Sequence, residues 1–328
     1  MQHDVFIEPI LSDPVHCEFE LPLRRTFYPL GFPLQLETNS PDVIEAASEG
    51  WGQFSQAFDE TAVRMSLAVS ESDTTLVSVR SHVRSREHLM SFFADPENFA
   101  VCDFSQNYAF GWVTRAVAAD HPLLRYRFLT APGLSLIGQL ALAPLHGALI
   151  ERAGCGVMLC GESFAGKSTL AYACGRAGWT FIADDGTCLV RKRLDRYAIG
   201  DPHTIRFRED AARFFGELAD RLPVIRPSGK TGFEVFTRDL PLRTAPGCSV
   251  DHIVFLDRQR SGDARIRRYP REQALEYFER FAAYGVSEVR AAQKSCYRRL
   301  IEAGIWEMQY ADLDDAVACL ERLADRAS

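Results

Sequence analysis

The run Gly161-Glu162-Ser163-Phe164-Ala165-Gly166-Lys167-Ser168-Thr169 fits GxxxxGK[ST], and it follows a short apolar stretch and opens a helical one. Few features constrain a fold as tightly, because such a loop must join a buried strand to a helix N-terminus. Chance is a poor explanation: with 22 glycines and four lysines in 328 residues, roughly 0.002 such matches are expected. Backbone N–H groups of the loop and the helix N-terminus converge on a phosphate, Lys167 reaches its β and γ oxygens, and the Ser168 hydroxyl suits Mg²⁺. Gly161 and Gly166 permit backbone geometry that a side chain would block. The residues point to a bound nucleotide.

A chain of 328 residues with 47% hydrophobic positions can bury two cores, which excludes disordered and fibrous classes. With 44 acidic against 37 basic residues the formal charge is −7, so neither nucleic acid nor an anionic membrane surface is expected as a main partner. An anion must be caught locally. Only four basic residues are lysines (Lys167, Lys192, Lys230 and Lys294), which makes each worth inspection. The nine cysteines form no CxxC pair and read as free, mostly buried thiols of a reducing cytoplasm. The first residues lack the basic and apolar regions of a signal peptide. The longest apolar stretch, Leu134 to Ile150, is interrupted by Gln139, Pro144 and His146, so no membrane span is expected.

The patterning predicts two domains. Residues 1–125 read as a small α+β domain of unknown role: a strand-like run from Phe27 to Leu36, a helix opened by Asn39-Ser40-Pro41 with Ser40 as cap, and a hairpin of Val63–Val69 and Thr75–Val83. Aromatics between Phe92 and Trp112 read as core. Residues 126–328 change to strands alternating with helices, the pattern of an α/β domain. A helix is expected at Leu134–Leu142, strands at His146–Glu151 and Gly156–Leu159, a helix at Lys167–Arg176, and a strand at Thr180–Ala183 ending in Asp184 and Asp185. Further strands are expected at Cys188–Val190, Phe233–Phe236 and Ile253–Leu256, then a helical C-terminal part opening at Pro270, Ser287 and Asp312.

Asp184 and Asp185 close the strand after the loop, and in phosphate-binding α/β domains that strand end faces the same crevice. Two adjacent carboxylates can divide labour, one holding Mg²⁺ and the other accepting a proton from an attacking hydroxyl. Lys230, in Pro227-Ser228-Gly229-Lys230-Thr231-Gly232, is a candidate lid cation over a γ-phosphate, and Arg206 and Arg208, on the crevice side, are alternative candidates for the same role.

The stretch HGALIERAGCGVMLCGESFAGKSTLAYACGRAGWTFIADD, His146 to Asp185, resembles the catalytic domain of the HPr kinase/phosphorylase family, whose pattern runs HG, a β-hairpin, GxSGxGKS, a helix ending in RG, and a strand closing on ADD. The likeness is close over about 40 residues and loose from 130 to 260. It implies an α/β P-loop kinase domain of the HPr kinase and phosphoenolpyruvate carboxykinase type, here with a small α+β domain before it and C-terminal helices after it. By that likeness ATP and Mg²⁺ are the cofactors, and the partner is a hydroxyl-bearing acceptor, often a serine of a protein or peptide, or a small molecule. By the same likeness the Asp184–Asp185 pair supplies the base and its metal-side neighbour, an order the residues leave open and in which Asp185 is favoured as base with Asp184 beside Ser168 on the metal side. His146 would be the histidine beside the transferred phosphoryl; homo-oligomers are common in the family. Phe164 stands where the family has glycine, a replacement expected to be tolerated because that position needs only its N–H. The family's acidic LEIRGLGI-type segment is missing, Glu209 being the nearest substitute, so a kinase without phosphorylase activity is expected. The rivals are a P-loop ATPase and a non-catalytic nucleotide-sensing module.

Overall fold

The computed structural model describes residues 20–75, 82–219, 221–225, 231–282 and 285–326. The chain divides into two units, Met1–Leu136 and Ile137–Ser328. The first holds a seven-stranded sheet of β1 (Leu23–Phe27), β2 (Leu34–Thr38), β3 (Val63–Ser70), β4 (His82–Arg86), β5 (Leu89–Asp95), β6 (Asn98–Asp103) and β7 (Tyr108–Thr114). Its order is β1-β2-β3-β7-β6-β5-β4. The helix Pro41–Trp51 is the crossover that the parallel pair β2–β3 requires, and it buries Val43, Ala46, Ala47 and Trp51.

Three expectations for this unit are corrected. The run from Phe27 to Leu36 is not one strand, because Pro29–Gly31 forms a 3-10 turn with Leu30 at φ +53 and splits it between β1 and β2. Among the described residues Val63–Val69 has no antiparallel hairpin partner; β3 lies parallel to both β2 and β7. Most of Thr75–Val83 lies outside the described residues, and its described end belongs to β4 at the far edge of the sheet. The supposed turn is held instead by Arg115, which pairs with Asp73 at 2.8 Å and Glu71 at 3.2 Å. Ser40 occupies the N-cap but makes no side-chain capping bond.

The second unit contains β8 (Leu142–His146), β9 (Ala148–Arg152), β10 (Cys155–Cys160), β11 (Thr180–Ala183), β12 (Gly186–Val190), β13 (Tyr197–Gly200), β14 (Thr204–Phe207), β15 (Val224–Ile225), β16 (Thr231–Phe236), β17 (Arg243–Thr244), β18 (Gly247–Ser249), β19 (His252–Arg258), β20 (Arg265–Arg268) and β21 (Gly304–Tyr310). The main sheet runs β17-β11-β9-β10-β19-β21-β20, with β10, β19 and β21 parallel. Alternation of side chains sends Val157 and Leu159 to one face, where they meet Leu170 and Cys174 of the helix Lys167–Arg176 and Leu320 of the helix Leu313–Ala324. Met158 and Cys160 go to the other, against Phe278 of Arg271–Glu279 and Tyr297 of Ser287–Leu300. Helices cover both faces, which is why the central strands read as continuous apolar runs.

Here too the structure revises the reading. The C-terminal part is not purely helical: β21 is inserted beside β19, its Ile305, Met308 and Tyr310 buried. Of the three later expected strands only β19 joins the main sheet. β12 belongs to a sheet ordered β18-β13-β12-β8, and β16 to one ordered β14-β16-β15. His146 ends β8 rather than starting β9, because Gly147 interrupts the pairing there. Among the described residues no helix is long and apolar enough to cross a membrane.

Candidate active site

The phosphate loop leaves the sheet at the buried end of β10. Gly161 has φ +145 and Gly166 φ +93, and a Cβ on Gly166 would lie 2.3 Å from the Tyr310 Oη. Glycine is therefore required at Gly166 twice, by its backbone and by the tyrosine that caps the loop. Tyr310 donates from that hydroxyl to the Ala165 carbonyl at 2.9 Å, and Tyr277 donates to the His146 carbonyl at 2.8 Å. The helix Lys167–Arg176 has no side-chain cap at its N-terminus, so its first N–H groups face the loop.

Phe164 departs from the expectation. It sits at φ +74, in the left-handed region that favours glycine and costs a bulky L-residue about 1–2 kcal/mol.

Lys167 is buried, and its Nζ donates to the carbonyls of Gly161 at 2.8 Å and Glu162 at 3.3 Å. Burial lowers its pKa, while the charges of Asp185 and Asp184 work the other way. Asp184 is only 4% exposed and accepts the Arg206 backbone N–H at 2.7 Å. Burial pushes its pKa up to about 6 despite the Arg206 charge and that N–H. Asp185 is half exposed, with its Oδ1 2.9 Å from the His146 Nδ1. Backbone pairing sets this contact: Gly186 lies opposite His146 across β12 and β8, the Gly147 N–H donates to the Asp185 carbonyl at 3.0 Å, and the Thr187 hydroxyl donates to the Gly147 carbonyl at 2.7 Å.

One cavity of about 200 Å³ is lined by His146, Ser163, Phe164, Gly166, Lys167, Ser168, Thr169, Asp184 and Asp185. Arg206 and Arg208, expected on the crevice side, join its wall, and the structure adds Asp210, Thr231 and Arg258. Three loop residues are placed otherwise: Gly161 shapes the turn, Ala165 is pinned by Tyr310, and the exposed Glu162 reaches Arg280 at 3.8 Å. Lys230 lies outside the described residues. Glu209 is exposed on the 3-10 turn Glu209–Arg213 and is not part of the cavity wall, which Asp210 joins instead.

The donor set fits a nucleotide triphosphate with a divalent ion. The loop is a cradle that Cβ atoms would fill, and Lys167 holds carbonyls that a phosphate can replace. Among the described residues Asp184 and Asp185 belong to no group of three His, Cys, Asp or Glu ligand atoms that all lie within 4.8 Å of one another. An ion held by Asp184 and Ser168 would thus complete its shell with phosphate and water oxygens, as Mg²⁺ commonly does.

The buried charge makes a stability prediction. With a folded pKa near 6 against 3.8, ionised Asp184 destabilises the fold at neutral pH, and the penalty fades as pH falls from about 6 to 4. Asp184→Asn without Mg²⁺ is therefore expected to unfold later than wild type at pH 7.5, by about 2 kcal/mol, with the gap closing near pH 4. Mg²⁺ should raise the melting temperature of wild type only. An earlier-melting variant at pH 7.5 would contradict this account of the carboxylate.

No protein-family profile matches the chain. HPr kinase/phosphorylase from each of two strains of Leptospira biflexa serovar Patoc is 37% identical to it over 95 residues, 27% of this chain and 29% of the relative. The matched part thus spans less than a third of those relatives' length. The solved Hpr(Ser) kinase/phosphatase from Coxiella burnetii shares 12% identity, with TM-score 0.28, over 55% of this chain and 96% of its own. Through the matched segment, this chain is related to HPr kinase/phosphorylase.

Proposed function

We propose that the second unit is a P-loop kinase domain of the HPr kinase and phosphoenolpyruvate carboxykinase type, acting in the cytoplasm and using ATP and Mg²⁺ to phosphorylate a hydroxyl. The acceptor is a serine-type alcohol of a protein, peptide or small molecule. The observation that carries this is the placement of the His146–Asp185 pair in one cavity with Lys167 and Ser168.

Bound Mg·ATP would supply the transferable phosphoryl and the divalent charge that offsets it. The loop N–H groups and Lys167 orient the phosphates, and Ser168 and Asp184 hold the ion. Asp185, oriented by His146, takes the proton of the attacking hydroxyl. Positioning and electrostatics dominate such chemistry, so the residues need only be held in place.

Incubating the full chain with labelled ATP and Mg²⁺, alone and with HPr, free serine or serine peptides, tests the reading. Slow hydrolysis alone and rapid transfer to an added acceptor are expected. Steady turnover without acceptor would favour an ATPase, and nucleotide binding with neither hydrolysis nor transfer a sensor. Transfer should also run one way. Reversal through inorganic phosphate needs a cation beside the Asp pair beyond those that hold the nucleotide, and Arg206 is already paired with Glu234 at 3.2 Å. Phosphorylated acceptor with excess phosphate should release no pyrophosphate; its stoichiometric release would show phosphorylase activity.

A further inference from the structure

Phe164 combines three features that a loop residue without a role would not keep together: a left-handed backbone at φ +74, a surface 71% exposed, and an arginine on its ring. The Arg208 guanidinium carbon lies 3.7 Å from the ring centroid, a close cation–π contact. The exposed ring contributes little to the core, so the backbone strain is not offset by packing. What the ring does is hold Arg208 above the phosphate loop, in the wall of the same cavity. Among the described residues no carboxylate pairs with Arg208, whereas its neighbour Arg206 pairs with Glu234. Arg258 also rests on an aromatic face, Phe214 at 5.2 Å, but that ring is not part of the loop.

We propose that Arg208 is the cation that engages the terminal phosphoryl of the bound nucleotide, and that Phe164 is its positioning residue. Resting on an aromatic face keeps the guanidinium near the loop without neutralising it, so its charge remains available to an incoming anion. A carboxylate in the place of Phe164 would occupy the same donors and have to be displaced. The inference rests on the phosphate-loop reading above, assigns the clamping role to Arg208 among the candidates Lys230, Arg206 and Arg208, and adds Phe164 as the residue that positions it.

The test compares affinities of the full chain for Mg·ADP and for the Mg²⁺ complex of a non-hydrolysable ATP analogue, by calorimetry. Arg208→Ala should weaken the triphosphate by about tenfold or more and change the diphosphate by less than about twofold. Phe164→Gly relieves the backbone and should fold at least as well, yet lose about threefold or more in triphosphate preference; Phe164→Tyr, which keeps the ring, should restore it. An unchanged preference in either Arg208→Ala or Phe164→Gly overturns the proposal. Lys167→Ala separates the two levels. If it abolishes binding of both nucleotides while Arg208→Ala behaves as wild type, only the clamp is wrong. If Lys167→Ala binds like wild type, or wild type binds neither, the phosphate-loop reading falls and the clamp with it.

Discussion

Lys167→Ala is expected to abolish phosphate transfer while leaving the second unit folded. The loss should exceed about 3 kcal/mol in kcat/KM, the scale of a missing charged clamp in a desolvated site. The fold should survive because the ammonium donates only to loop carbonyls, and removing a buried cation removes its desolvation cost. Far-ultraviolet circular dichroism and a melting curve beside the labelled-ATP assay separate the two outcomes. Undiminished transfer by a folded variant would remove the basis for assigning the loop to phosphate.

Asp185→Asn is expected to cut transfer by a factor of about 100 or more with nucleotide affinity nearly unchanged. The amide keeps the shape and can still meet His146, but it cannot take a proton. Single-turnover kinetics at saturating nucleotide isolate that step from binding. Wild-type rates in both Asp185→Asn and Asp184→Asn would mean that neither carboxylate is the base. The two variants should also differ from each other, since Asp184 is buried under Arg206 whereas Asp185 opens to the cavity beside His146. Substitution at Asp184 should mainly raise the Mg²⁺ requirement.

The cavity residues that the sequence made visible are those whose chemistry is written in contiguous or regularly spaced positions. Loop, helix start and strand-end aspartates follow one another within a single β–loop–helix–β passage, so local pattern suffices. The residues that finish the site come from far along the chain. Tyr310 reaches Ala165 across 145 positions and Tyr277 reaches His146 across 131, and nothing local in either segment marks its partner. The strand that carries Tyr310 escaped notice because Glu307 and Gln309 interrupt a seven-residue run between two helices. In the first unit the parallel neighbours of β3 are set by pairings distant in sequence, which a hairpin reading cannot see. Phe164 was legible as a departure from the family pattern; the positive φ it adopts and the Arg208 guanidinium on its ring were not.

The ladder between β8 and β12 has a consequence for how such a chain can change. The backbone leaves that sheet at His146 and re-enters it opposite, at Gly186, so the phosphate loop, its helix and both aspartates lie between two residues paired on a single rung. The segment is a cassette closed at its neck. A substitution elsewhere can reshape what approaches the cavity without altering the spacing between His146 and Asp185, and a one-residue slip at the neck would disrupt every group at once. Ancestry should therefore leave its mark within the cassette long after it has faded from the surfaces around it.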